Sequence, residues 1–84
     1  MWFVYILKSK NYKKSYVGFT NNIERRLREH NEGKNYYTKR FKPWILLKIE
    51  EYKQQTEARK REKYYKSGIG REKLKEIFKH CGMV

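Results

Sequence analysis

The longest apolar run in the sequence, Met1 to Leu7, is the first constraint on the fold. Its stretch Trp2-Phe3-Val4-Tyr5-Ile6-Leu7 is rich in aromatic and β-branched residues and has no polar position to mark a solvent face. It reads as a strand buried on both faces, which requires packing above and below it. The run is far shorter than the ~20 residues of a membrane span. No basic segment precedes it and no small-residue cleavage site follows, so a secretory signal is not expected either.

Lys8 to Ser15 is turn material, with Asn11 and several lysines. Tyr16-Val17-Gly18-Phe19 then reads as a second strand, so the pair is expected to form an antiparallel hairpin. A glycine inside a strand signals a bulge, a bend or a close backbone approach. Thr20, Asn21 and Asn22 are candidate caps for a helix over Ile23 to Glu32, which Gly33 ends. Ile23, Leu27 and His30 fall on one face of that helix, with Arg26 flanking the stripe.

Lys34 to Lys42 has neither helical nor strand period and is expected to be a loop. Pro43 opens a third strand over Trp44 to Ile49. Thr56 is the expected cap of a helix over Glu57 to Lys66, broken by Ser67-Gly68-Ile69-Gly70. A last helix, Arg71 to His80, carries Leu74, Ile77, Phe78 and Cys81 at helical spacing. The order β-β-α-β-α-α predicts an α+β fold, a small three-stranded antiparallel sheet flanked by helices. With 84 residues, one domain over 1–84 is expected.

Charge bounds the partner. There are 22 Lys+Arg against nine acids, a formal net charge of +13, and every acid is a glutamate. Such an excess favours polyanions, nucleic acid above all, through release of condensed counterions. The lone Cys81 excludes an internal disulfide, and with His30 and His80 it is too little for a structural zinc site. A cytoplasmic location, away from membranes, is expected.

One acid does not fit a solvated role. Ala58, Glu62 and Tyr65 share a helix face, and a helix continued to Ile69 would add it to that face, all four within an arc of about 60°. A carboxylate amid an apolar stripe needs a cation, a metal or a pKa shift. A salt bridge to one of the many basic residues satisfies that need as well as a metal does. Glu57 lies on a different face, where it suits the helix dipole.

Several of these features together resemble the GIY-YIG nuclease superfamily, and most of all its small stand-alone bacterial members. Phe3-Val4-Tyr5 stands for the first motif and Tyr16-Val17-Gly18 for the second. Asn22 to His30 is similar to the family's N-L-x-x-R-L-x-x-H. Pro43-Trp44, then Thr56-Glu57-Ala58 with Glu62 and Lys66-Ser67-Gly68, continue the likeness, which covers roughly residues 2 to 78.

The resemblance implies a magnesium- or manganese-dependent endonuclease that hydrolyses phosphodiester bonds. In that reading Tyr5 helps deprotonate the attacking water, and Tyr16 orients the water or a phosphate oxygen from the same sheet face. Arg26 meets the charge developing on phosphoryl oxygen, His30 positions water or phosphate, and Glu62 holds the metal. Gly18 lets the backbone bend beside them. Phe3 stands where the family has glycine. Phe19 stands where some relatives have a lysine, so lowering the Tyr5 pKa is left to Arg26, His30 or the general positive field. Leu74 stands where repair-type relatives carry asparagine.

Tyr37, Lys39 and Arg40, in the loop, are candidate substrate contacts. The expected partner is nucleic acid, DNA ahead of RNA, and the expected state is a monomer or weak homodimer. Two alternatives stay open: a nucleic-acid-binding module that keeps the fold with little turnover, and a structural basic protein.

Overall fold

A computed structural model, which describes residues 1–80, places the apolar run at the centre of a three-stranded antiparallel sheet. Strand β1 (Trp2–Ser9) pairs with β2 (Ser15–Thr20) along one edge and with β3 (Trp44–Tyr52) along the other. Because β1 has a neighbour on each side and side chains leave a strand to alternate faces, Val4 to Leu7 are all buried.

The alternation makes two small cores. Val4 and Ile6, with Val17 of β2, pack against Ala58 and Tyr65 of helix α2 (Gln55–Lys66) and Leu74 of helix α3 (Gly68–His80). Tyr5 and Leu7 face the other way, where they join Trp44 beneath Ile23 and Leu27 of helix α1 (Ile23–Glu32). Each buried aliphatic contributes about 1.5–3 kcal/mol. The expected α+β architecture and element order are what forms.

Helix α1 has the expected bounds. Asn22 is its cap, accepting from the Arg25 N–H (3.1 Å), and Gly33 ends it with φ 84°. The sheet elements run longer than expected, and β3 continues to Tyr52. A register shift lies between β1 and β3 at Ile6/Leu7, whereas the β1–β2 ladder is continuous through Gly18. No helix among the described residues is long and apolar enough to cross a membrane.

Three local expectations need correction. Thr56 is not a cap: α2 begins at Gln55, after an extended Gln54 that offers no side-chain cap. The 34–42 segment is not wholly irregular, since Thr38–Phe41 forms a turn of 3-10 helix.

The third concerns the glycines before α3. Only Ser67 interrupts the helices, its hydroxyl accepting from the Gly70 N–H (3.2 Å), and Gly68 to Gly70 are the first turn of α3. Ile69 is therefore off the α2 stripe and 76 % exposed. Gly70 is there for contact: a Cβ on it would overlap the Tyr64 carbonyl, so the two helices meet backbone to backbone. Leu74 is buried and Ile77 packs on the core as expected, while Cys81 lies outside the described residues.

Candidate active site

Tyr5 stands opposite Gly18 in the β1–β2 ladder, and Tyr16 stands opposite Leu7. Both tyrosines therefore leave the same face, two ladder positions apart, with ring centroids 6.2 Å apart. That placement agrees with expectation. Gly18 has a different role from the expected bend. A Cβ there would lie 2.6 Å from Tyr5 Cζ and 3.0 Å from Tyr16 Cε1, so the missing side chain is what lets the phenol lie flat across β2.

Helix α1 lays its stripe on this face and delivers His30, fully buried, to the phenol. Tyr5 Oη and His30 Nε2 are 3.0 Å apart. The Tyr16 ring packs on the imidazole at 4.9 Å between centroids. Arg26, one turn earlier, is half-buried, and its guanidinium donates to Glu29 at 3.2 Å. Glu29 holds Arg26 at the edge of the site.

The electrostatics run against a phenolate. Burial pushes the Tyr5 phenol up to about 12, against the pull of the neighbouring Arg26 guanidinium; Tyr16 and Glu62 add to the rise. The expectation of a lowered Tyr5 pKa is not met, because desolvation of the phenolate outweighs the one nearby cation. Burial, assisted by the Arg26 charge, pushes His30 down to about 4, so the imidazole is neutral at pH 7.

A neutral imidazole has one donor and one acceptor nitrogen. Its second nitrogen, Nδ1, lies 2.7 Å from Thr38 Oγ1. Thr38 is fully buried and fastened at three points: its N–H donates to Asn35 Oδ1 (3.1 Å), its carbonyl accepts from Trp44 Nε1 (2.8 Å), and its hydroxyl meets His30. The polar segment is thus a clamp on the histidine. Sequence reasoning missed Thr38, whose only signal is a small hydroxyl residue flanked by aromatic and basic ones.

Glu62 occupies the α2 face between Ala58 and Tyr65, as expected, with an 18 % exposed side chain. Among the described residues its one ion pair is long, 3.8 Å to Lys66, and Lys66 Nζ in turn sits 5.7 Å over the Tyr16 ring. Among the described residues no three His, Cys, Asp or Glu side chains gather as a metal cage. A single, underused carboxylate fits a hard divalent cation that takes its other ligands from water and phosphate. It does not fit zinc.

Another acid is more deeply engaged than Glu62, and sequence reasoning passed over it. Glu50 of β3, 15 % exposed at its side chain, accepts from Tyr52 (2.7 Å), Arg61 Nε (2.9 Å) and the Tyr65 hydroxyl, with Lys48 at 3.4 Å. These bonds hold its carboxyl down at about 2 despite burial, and burial, aided by Glu50, holds the Tyr65 phenol up at about 12. Three hydrogen bonds and the Lys48 ion pair engage both oxygens, so this cluster ties α2 to β3.

Of the loop candidates, Tyr37 alone reaches the tyrosine pair, with its ring 6.3 Å from Tyr16 and 45 % of the residue exposed. Lys39 and Arg40 are exposed and gather over Tyr36, each 5.0 Å from its ring.

Comparison with known proteins agrees with this geometry. Residues 1–75 match the GIY-YIG catalytic domain family. A UPF0213 protein of Staphylococcus haemolyticus is 40 % identical over 76 residues, covering 89 % of this chain and 92 % of that protein. A UPF0213 protein of Clostridium perfringens is 40 % identical over 78 residues, 92 % of this chain and 83 % of its own length. The solution NMR structure of a UPF0213 protein from Bacillus halodurans superimposes with a TM-score of 0.54 at 31 % identity, covering 92 % of this chain and 85 % of that one.

Proposed function

Because the chain belongs to the GIY-YIG catalytic domain family, a nuclease-type family, we propose that it is an endonuclease hydrolysing phosphodiester bonds in DNA or RNA. The observation that carries this reading is the contact of a buried tyrosine hydroxyl with a neutral histidine, 3.0 Å apart and beside an arginine. A phenol held near 12 is a poor phenolate but a good relay.

In the proposed reaction His30 Nδ1–H donates to Thr38, which leaves Nε2 to accept from the Tyr5 hydroxyl. The Tyr5 oxygen then accepts a proton from the attacking water while its own proton passes to Nε2. Substrate assists the step. A phosphate paired with Arg26 cancels the positive field that helps hold His30 low, and so raises its affinity for that proton. Arg26 meets the charge growing on the phosphoryl oxygens, and Tyr16 orients the water.

Glu62 is the proposed ligand of Mg²⁺ or Mn²⁺. Such an ion, when bound, supplies Lewis-acid stabilisation of the pentacovalent phosphate and its leaving oxygen. The residues of the chain bind, orient and move the protons.

The test is nicking of branched, single-stranded and duplex substrates with Mg²⁺ or Mn²⁺, by wild type and by Glu62→Ala. The expected result is cleavage by wild type alone, with binding retained by the variant. If both leave every substrate intact, the chain is a binding module with the family's fold.

A further inference from the structure

Tyr16 also lines a cleft of about 470 Å³ that the proposed chemistry does not use. It opens beside β2 against the α2–α3 junction, and its other key walls are Tyr37, Lys66, Arg71, Leu74 and Lys75. Its volume falls in the ~300–1,000 Å³ range of sites that take small organic ligands. Among the described residues no carboxylate lines it, whereas three cations do.

Those cations are free to meet an anion. Lys75 and Glu72 are exposed and 3.7 Å apart, and Lys66 holds Glu62 only at 3.8 Å, contacts that screening makes weak. Arg71 has no carboxylate within 4.0 Å among the described residues. Arg71 and Lys75 are four apart in α3, so they stand on one face of the helix.

The opposite chemistry lies across the cleft. Tyr37 is 45 % exposed as a residue, and its ring is inclined 31° to Tyr16, with Phe41 5.5 Å away, so it offers aromatic surface at the mouth of the cleft. Lys66, at the end of α2, lies over the Tyr16 ring at 5.7 Å from its centroid. A ligand suited to both halves is flat and apolar at one end and anionic at the other. A nucleotide is such a ligand, provided its base is unpaired, since a paired base has no free face to offer.

We propose that this cleft is a nucleotide subsite that stacks an unpaired base on Tyr37 and holds its phosphate on Arg71 and Lys75. It rests on the endonuclease reading in that the nucleotide belongs to the strand being cut, next to the bond presented to Tyr5 and Tyr16. Substrates with a single-stranded segment, a flap or a bulge fill it. A blunt duplex does not.

The experiment measures binding in metal-free buffer, where no cleavage occurs, by fluorescence anisotropy of a short oligothymidylate and of a blunt duplex of equal length. Tyr37→Leu should weaken oligothymidylate binding about ten-fold and duplex binding less than about two-fold. Arg71→Ala with Lys75→Ala should lower the salt slope for the oligothymidylate by about 0.7 per cation removed. Arg71→Glu, at an exposed position, gives the same direction without touching the loop. Equal losses on both nucleic acids, or none, overturn the subsite.

Nicking with Mg²⁺, measured in parallel, separates this inference from the reading it rests on. Cutting by wild type with unaltered single-strand binding in the cleft variants removes the subsite alone. Selective loss of single-strand binding by the variants of a protein that cuts nothing upholds the subsite and removes the nuclease.

Discussion

Gly18 faces Tyr5 across the β1–β2 ladder, and the phenol occupies the space a side chain at position 18 would fill. The glycine is therefore a steric part of the site. Its neighbours in the chain pair in unbroken register, so the strand needs no glycine for its own geometry.

Gly18→Ala should fold, because what the new methyl meets is the far end of the Tyr5 side chain and the Tyr16 ring, not backbone. Overpacking of this kind costs about 1–3 kcal/mol in a denaturant melt. Nicking should fall far more, about a hundred-fold, as the hydroxyl is pushed from His30 Nε2. A variant that keeps its wild-type rate would show that the Tyr5–His30 contact is not used.

Thr38 makes a separate prediction. Thr38→Val removes the hydroxyl partner of a buried imidazole nitrogen and should destabilise by about 1–3 kcal/mol. Thr38→Ser should restore most of that loss and most of the nicking rate. Nitrogen NMR of His30 reads the cause directly: proton occupancy at Nδ1 and Nε2 should become mixed in the valine variant and return to wild type in the serine one. Unchanged occupancy in the valine variant means that Thr38 does not set the tautomer.

The strands, the α1 stripe and the tyrosine pair were legible because each follows from local periodicity. A two-residue repeat puts Tyr5 and Tyr16 on one face, and a seven-residue step puts His30 under Ile23. Thr38 was not legible, since its importance comes from three bonds to residues in other elements, Trp44 among them. Gly70 was misread for a related reason. Locally it is a helix breaker, but the contact that requires it is with Tyr64, across a junction no pattern describes. The Tyr5 pKa was misjudged because burial, the larger effect, cannot be read from neighbouring charges.

His30 should make the fold sensitive to mild acid. Its folded pKa, about 4, lies below the ordinary 6.5, so between these values the unfolded chain binds a proton that the folded chain does not. Stability from this group is complete above pH 6.5 and is lost as pH falls toward 4, to a limit of about 3 kcal/mol. Denaturant midpoints across this window should slope for wild type and flatten for His30→Gln. An equal slope in both proteins assigns the effect to other groups.

Glu50 and Glu62 should separate stability from activity. Glu50 joins β3 to α2 through Arg61 and the Tyr65 hydroxyl and also accepts from Tyr52, so Glu50→Gln should cost about 2 kcal/mol. Its carboxyl is held at about 2, below the ordinary 4.5, so its contribution is present above pH 4.5 and fades as pH falls toward 2. The glutamine variant should lose that acid dependence yet still nick at temperatures where it is folded. Among the described residues Glu62 has one long ion pair, so Glu62→Gln should melt within about 0.5 kcal/mol of wild type. Nicking with Mg²⁺ should nevertheless disappear, since an amide replaces the charged oxygen donor. Unfolding curves and nicking rates on the same two preparations decide the matter: a folded Glu50→Gln that no longer cuts, beside a Glu62→Gln that does, would exchange the roles of the two acids.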